Sequence, residues 1–297
     1  INKRFIITTP EGIKYFFGGD EVEYTRVISG SRKDANNDPT TFYLYKIEHP
    51  VKGTILIEYE TLTSYRSSKL SKNFTSKIPY FHLAGSQVFP TFDYSYFITE
   101  TINPKYLSKI KSLDNQEEVV FNSNTIESDN SNNHFRNFNK VLSNISVKNS
   151  NSIIKTIDFN YLYGSNGISE TNPNSNTQRF FLTEVQINNS LDISGNKHEV
   201  YKMEYNDALG LPDRLTNGQD IEGFYNGQDN NTTLIPPLED TGYSFASNEI
   251  FANRHPNFFY SSKGVLTKIY YPTGGFTEFE YESTPARKKI YTSVGGD

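Results

Sequence analysis

The chain has 297 residues, a formal net charge of −5, 22 Phe, 21 Tyr, no Trp and no Cys. The lack of Cys excludes thiol nucleophiles, disulfide frameworks and cysteine zinc sites, and the absence of a Lys/Arg block excludes a basic nucleic-acid footprint. The aromatic share of 14% is too high for a wholly disordered chain, and no apolar run approaches the roughly 20 residues of a membrane span.

Strands dominate the predicted elements. Apolar and polar residues alternate with period two over 55–60, 157–163, 201–205 and 278–282, which is typical of strands with one buried and one wet face. No segment is a convincing helix, and the best attempt, 104–115, has mixed apolar spacing and no good cap. We expect an all-β protein with helix below about 10% of residues.

The strands form repeated hairpins. Leu44–Glu60 and Leu266–Glu282 match in register at a constant offset of 222 residues, with Pro50 and Pro272 at equivalent turn positions. Proline presets φ for a turn and glycine supplies positive φ, so each stretch predicts two antiparallel strands around a turn. We expect the two stretches to adopt the same hairpin.

Weaker copies of this plan begin at Leu107, Leu142 and Leu182, and the entry segment Ile7–Phe17 resembles them. About six hairpins stacked edge to edge therefore predict a strip of antiparallel β-hairpins with long irregular insertions. The residues expected in its core are Ile47, Ile57, Tyr59, Phe159, Tyr161, Met203, Ile269, Phe279 and Tyr281.

The connections differ in length. Residues 122–133 and 164–178 are rich in Asn, Ser and Gly, which predicts mobile loops. Residues 206–263 form one long insertion whose aromatics and prolines favour packing. Because the chain opens mid-strand at Ile1 without Met, we expect a single region, 1–297, that is a fragment of a larger protein.

Catalytic and metal signals are weak. The five histidines, at 49, 82, 134, 198 and 255, are scattered, and no serine-hydrolase elbow, P-loop or dinucleotide fingerprint occurs. Glu278, Glu280 and Glu282 share a strand face at a spacing of roughly 7 Å, the ordinary wet face of a strand but also near a glycosidase separation. Asp220, Asp229, Asn230 and Asn231 leave a calcium site open, although their spacing fits no EF-hand.

Aromatic residues crowd the insertion. Two interpretations stay open for them: they anchor the insertion to the sheet, or they stack on sugars. The residues concerned are Tyr225, Tyr243, Phe245, Phe258, Phe259 and Tyr260.

Three segments resemble the Rhs/YD-repeat family of bacterial surface proteins. Residues 7–18 (ITTPEGIKYFFG) are similar to its "TPDG…Y.FG" entry, and 42–47 (FYLYKI) to its "WYLTKI" strand. Residues 223–227 (GFYNG) with 271–282 (YPTGGFTEFEYE) are similar to "GYYNG…YPTGGYTEFEYE". The strict Gly-x(5–7)-Tyr-Asp repeat and the self-cleaving aspartate motif are absent, so the resemblance is to the region that precedes the repeats.

This resemblance implies a strip of hairpins wound into a hollow shell that encloses a C-terminal effector or is displayed at the cell surface. It carries over no catalytic residue. We expect a non-enzymatic structural segment without cofactor, extracellular or at the bacterial surface, whose partners are neighbouring segments of the same chain and an enclosed effector. The alternatives are a module that binds carbohydrate or protein through 206–263, and a hydrolase with an unrecognised carboxylate pair.

Overall fold

Strands make up most of the described chain. The computed structural model describes residues 3–29, 32–33, 38–61, 65–75, 91–125, 140–165, 168–170, 179–190, 198–213, 216–234 and 252–283. The strands are β1 (Arg4–Thr8), β2 (Lys14–Ser29), β3 (Arg32–Lys33), β4 (Thr41–His49), β5 (Gly53–Thr61), β6 (Tyr65–Thr75), β7 (Thr91–Ile102), β8 (Lys105–Ser112), β9 (Glu117–Thr125), β10 (Lys140–Asn149), β11 (Ser152–Ser165), β12 (Ile168–Glu170), β13 (Arg179–Asn189), β14 (His198–Tyr205), β15 (Leu266–Tyr270) and β16 (Phe276–Glu278).

Helix is confined, within these residues, to the four-residue α1 (Phe258–Ser261) and the 3-10 helix Ala208–Gly210. The predicted all-β class is confirmed. In the described part of the chain, no helix has both the length and the apolar character needed to cross a membrane.

One antiparallel sheet contains all sixteen strands. Its main path runs β16-β15-β14-β13-β11-β10-β9-β8-β5-β4-β2-β7-β6, while β1 and β3 pair with β2, and β12 pairs with β11. Most strands follow chain order, which confirms the strip of stacked hairpins. The β6–β7 hairpin departs from this order, because β5 pairs directly with β8 and β7 pairs with β2 instead.

The two hairpins related by 222 residues have the same register. Ile47 faces Ile55 in one, and Ile269 faces Thr277 in the other. Lys46 faces Leu56, just as Lys268 faces Glu278. Pro50 and Pro272 both lie in the turns, so the predicted equivalence is confirmed.

A β-bulge opens each of five hairpin units, which we define by their first residue: Leu44, Leu107, Leu142, Leu182 and Leu266. In every unit the residue after this leucine has no partner on the preceding strand, whereas the residues on either side of it are paired there. It is Ser or Thr in four units, and its hydroxyl donates to a carbonyl of the preceding strand. These bonds are Ser108 to Glu58 (3.0 Å), Ser143 to Asn122 (3.0 Å), Thr183 to Asn160 (3.1 Å) and Thr267 to Glu204 (3.1 Å).

A tyrosine closes four of the five units. Its hydroxyl donates to the carbonyl of the leucine that opens the same unit. These bonds are Tyr59 to Leu44 (2.7 Å), Tyr161 to Leu142, Tyr205 to Leu182 and Tyr281 to Leu266 (each 2.8 Å). In the unit that begins at Leu107, Ser123 holds the equivalent register position, because it faces Leu142 as Tyr59 faces Leu107.

The predicted core differs from the structure. Ile47, Ile57, Tyr59, Phe159, Tyr161, Met203 and Ile269 are half-buried, while Phe279 and Tyr281 are 38% and 48% exposed. The alternation places these side chains on strand faces correctly, but a face becomes a core only when a second layer covers it. In the described residues the strip is one sheet.

Strand ends differ from the predicted ones at three places. β9 continues to Thr125 inside the predicted loop 122–133, and β11 and β12 reach into the predicted loop 164–178. Polar residues hold these strand ends by bonds across strands, as between Asn122 Nδ2 and Asn144 Oδ1 (3.1 Å). The remaining residues of both predicted loops lie outside the described residues. The predicted strand 278–282 ends at Glu278.

Candidate functional site in the 206–263 insertion

The insertion leaves and re-enters the sheet at adjacent strands. β14 pairs with β15, and Asn206 joins the two ends, because its carbonyl accepts from Gly264 N (2.6 Å) and its Nδ2 donates to the Ser262 carbonyl (3.0 Å). Gly264 has φ +75°, and a Cβ there would lie 2.5 Å from Leu211 Cδ1. The insertion is therefore anchored tightly at its base.

Burial is deeper here than along the strip. Each of the following side chains is at most 8% exposed: Ala208, Leu211, Asp220, Asn226, Thr233 and Ala252. The aromatics and prolines of the insertion predict packing, and its described parts, 206–213, 216–234 and 252–263, contain these buried side chains.

Arg254 connects two segments of the insertion. Its guanidinium donates to three main-chain carbonyls: Gln219 from Nε (3.2 Å), Leu234 from Nη1 (2.9 Å) and Asp220 from Nη2. A planar guanidinium offers five fixed donors, so one side chain fixes the relative positions of three backbone groups.

Two asparagines complete this network. Asn226, which is 1% exposed, donates from Nδ2 to the carbonyls of Asn253 (2.9 Å) and His255 (3.1 Å), and its Oδ1 accepts from Gln228 N (3.2 Å). Asn231 donates to the Asn253 carbonyl (3.0 Å) and accepts from Asn253 N (3.0 Å). The roles of Asn226 and Arg254 leave no local pattern in the sequence, because their partners are distant carbonyls. Asn231, which the sequence offers as a calcium ligand beside Asp220 and Asp229, binds the backbone of Asn253 instead.

Asp220 stabilises a tight turn. Its Oδ1 accepts from Glu222 N (3.0 Å) and Phe224 N (2.9 Å), a typical Asx arrangement. Asp229 accepts a hydrogen bond from the Tyr225 hydroxyl (2.8 Å). Each of these two candidate calcium ligands therefore accepts at least one hydrogen bond from the protein itself. Over the described residues, no three His, Asp or Glu side chains are grouped so as to hold a metal ion.

The aromatic residues of the insertion divide into packed and exposed ones. Tyr225 and Tyr260 meet edge to face at 5.4 Å, and a Cβ on Gly227 would lie 2.4 Å from the Tyr260 ring. Burial, followed by the hydrogen bond to Asp229, raises the pKa of Tyr225. Tyr243 and Phe245 lie outside the described residues.

The exposed aromatics lie at the surface of the insertion. Phe224 is 59% exposed at the tip of the Asp220 turn, and Phe259 is 69% exposed on α1 beside Phe258, which is 42% exposed. Lys263 Nζ lies 5.7 Å from the Phe259 ring centre and 2.7 Å from an Asp207 carboxylate oxygen. Flat apolar rings on a rigid support next to polar groups are able to stack on a sugar or on a partner's side chain.

The acid row does not form one strand face. Glu278 lies in β16 with its carboxylate 3.7 Å from Lys268 Nζ, whereas Glu280 and Glu282 follow the strand, and all three are exposed. Of the histidines, His49 accepts from Val51 N and Lys52 N in its turn, at 3.1 and 3.0 Å. His82 and His134 lie outside the described residues.

A second concave site lies on the strip, at the irregular segment Gly18–Glu21 of β2. The cavity has about 490 Å³ and is lined by carboxylates of Asp20, Glu21 and Glu58. Glu21 pairs with Lys105 Nζ at 2.9 Å, and Glu58 pairs with Lys111. Glu21 and Glu58 therefore each have a lysine partner in this cavity.

Comparison with known protein families finds no match for the chain. No curated protein sequence is significantly similar to it either.

Proposed function

We propose that the chain is a non-enzymatic structural segment of a large secreted or cell-surface Rhs-like bacterial protein, in which it forms part of a β-sheet wall. The observation that supports this proposal is the repeated junction between hairpin units. A structural strip needs a joint that can be reused, and the same bulge, hydroxyl bond and leucine–tyrosine pair recur along this sheet.

Charge pairs across strands support the same role. Glu118 on β9 contacts Lys109 of β8 at 3.2 Å and Lys148 of β10 at 3.3 Å. The hydrogen bond from Lys109, with a further one from Lys148, lowers the pKa of Glu118. Each half-buried pair at the surface contributes little alone, but such pairs favour the native strand order over other pairings.

The location is tested in the producing organism. An epitope tag inserted between Val51 and Lys52, in a turn where Val51 is 88% exposed, leaves both flanking strands intact. We expect antibody labelling of whole cells or recovery from the culture fluid, and removal of the tag by external protease. Tag found only inside intact cells contradicts the proposal.

The absence of catalysis is tested on purified protein. Panels of glycoside and peptide substrates should show no turnover by the wild-type chain. Turnover that Glu278→Gln, Glu280→Gln or Asp229→Asn abolishes would favour the hydrolase hypothesis instead.

The exposed rings of the insertion favour a second candidate, a surface module that binds carbohydrate or protein. Phe224 and Phe259 are held out by a rigid network and are the most exposed aromatic side chains of the described insertion. Saturable binding on a glycan array that Phe259→Ala removes would support it. Phe276→Ala is the matched control, because Phe276 is 56% exposed on the strip.

A further inference from the structure

Adjacent units are joined in a fixed register. Tyr59 faces Leu107, Tyr161 faces Leu182 and Tyr205 faces Leu266. The residue before each tyrosine faces the third residue of the next unit, in the pairs Glu58–Lys109, Asn160–Glu184 and Glu204–Lys268. The carbonyl of this residue before the tyrosine accepts a hydrogen bond from the hydroxyl of the unpaired Ser or Thr at the bulge.

Pairing within a unit stops before this joint. β4 and β5 pair only as far as Lys46 and Leu56, and the remainder of β5, through Thr61, pairs with β8 of the next unit. The second strand of a unit is therefore complete only when a following unit supplies its partner.

In the last described unit, which begins at Leu266, the two strands pair with each other in the same way. In the described residues, no following unit pairs with its second strand. β15 and β16 pair as far as Lys268 and Glu278. Residues 279–282, which correspond to 57–60, keep two bonds to their own unit, from Phe279 N to the Thr267 carbonyl (2.9 Å) and from the Tyr281 hydroxyl to Leu266. In the described part of the chain they have no ladder, and Phe279 and Tyr281 are exposed as a result.

We propose that the edge formed by residues 279–282, which we call the acceptor edge, binds a strand with the sequence Leu-[Ser/Thr]-x-[Ile/Val]. The leucine faces Tyr281, x faces Glu280, and the Ile or Val faces Phe279. The Ser or Thr hydroxyl donates to the Glu280 carbonyl. Lysine is the preferred x, because Glu58 and Glu204 both face lysine in the internal joints.

The occupant is another hairpin unit of the same kind, so this inference rests on the proposed wall function and specifies how the wall continues. It follows from β-strand addition, in which main-chain bonds give affinity and alternate side chains give specificity. The incoming Leu and Ile cover the exposed apolar surface of Phe279 and Tyr281.

Disulfide mapping tests the register, because the chain has no cysteine of its own. The full chain carries Glu280→Cys, and the probe is a synthetic peptide with the sequence of residues 105–121, which holds Leu107, Ser108 and Lys109. Directly opposed side chains lie close enough for a disulfide. With oxidised glutathione as the oxidant, which is reduced to glutathione as the disulfide forms, we expect a peptide with Lys109→Cys to form the disulfide at least about tenfold faster than peptides with Ser108→Cys or Ile110→Cys.

The matched control is Lys202→Cys in the full chain. Lys202 is 63% exposed, but both edges of its strand are already paired, with β13 and β15. It should show no preference among the three peptides. Equal rates for all three at Glu280→Cys, or rates no higher than at Lys202→Cys, overturn the proposal.

Equilibrium binding of the cysteine-free peptide to the wild-type chain gives a second readout. We expect Ser108→Ala in the peptide to weaken binding about fivefold through the lost hydrogen bond, and Lys109→Pro to abolish it, because proline cannot donate to the ladder. Failure of the peptide to bind overturns the acceptor edge alone. Peptide binding in register combined with a tag found only inside cells overturns the proposed location and leaves the edge intact.

Discussion

The strip of hairpin units and the 206–263 insertion are stabilised in different ways. The strip repeats one backbone joint, and most of its described side chains are half-buried or exposed. The described parts of the insertion, 206–213, 216–234 and 252–263, hold little regular structure. They nevertheless bury Asp220, Asn226 and Ala252 to 4% exposure or less, and Arg254 and two asparagines connect their segments. A repeated sheet tolerates changes that each affect one joint, whereas a unique network depends on a few side chains.

Arg254→Met should produce the largest loss. It removes three donors from the carbonyls of Gln219, Asp220 and Leu234, and we expect a decrease of about 4 kcal/mol in the unfolding free energy of the insertion. Hydrogen exchange should show faster exchange in the insertion and little change in the strip. Lys202→Met, at an exposed pair 3.9 Å from Glu184, should stay within about 0.5 kcal/mol. Equal effects of the two changes contradict the comparison.

Gly227→Ala and Gly223→Ala separate packing from backbone strain within the insertion. Both glycines have positive φ, +78° and +93°, but a Cβ meets the Tyr260 ring only at Gly227. We expect the unfolding free energy to fall by about 1–2 kcal/mol in the Gly223 variant, from backbone strain alone. In the Gly227 variant it should fall by about 3 kcal/mol, because the Tyr260 ring must also move. Urea unfolding of the two variants measures the difference, and a Gly223 variant that is the less stable of the two would be contrary to this packing.

Tyr161→Phe probes one joint of the strip. The variant keeps the ring and loses the bond from the hydroxyl to the Leu142 carbonyl, for an expected loss of about 1 kcal/mol. Tyr59→Phe and Tyr205→Phe should cost similar amounts, since their bonds are the same. Tyr201→Phe, also on β14 and with a ring that meets Tyr271 edge to face at 6.2 Å, is the control. A loss of unfolding free energy above about 3 kcal/mol at a single joint would mean that the strip depends on single side chains as strongly as the insertion does.

Alkaline pH should weaken the strip gradually. Burial raises the pKa of Tyr59, Tyr161 and Tyr205 above the value of about 10 that unfolded tyrosine has. The folded chain then keeps protons that the unfolded chain loses, so stability is unchanged below about pH 10 and falls as pH rises through the folded pKa values. Urea unfolding between pH 8 and 11.5 measures this slope. Replacing the three tyrosines by Phe should reduce the slope, while Tyr163 and Tyr225, whose pKa values are also raised, keep part of it. An unchanged slope would assign the effect to other groups.

The sequence predicts the strip far better than the insertion. Alternation and the 222-residue offset identify the strands and the shared hairpin, because both depend on local periodicity. The bulge is visible afterwards as Leu followed by Ser or Thr, but nothing in one hairpin shows which carbonyl that hydroxyl reaches. The prediction that Phe279 and Tyr281 are buried was wrong, because their burial depends on a neighbouring strand. The sequence also does not predict that the β6–β7 hairpin lies beside β2, because this pairing joins strands far apart in the chain.

The recurring bulge also adds to the twist of the sheet. A bulge increases the right-handed twist of its strand, and here it falls at the same level of each unit, so the increments add in one sense instead of cancelling. Even an average twist of about 20° per strand amounts to roughly 240° over the twelve steps of the thirteen-strand path. In a chain built from more such units, the sheet twists further with each unit, so the number of units sets the total twist.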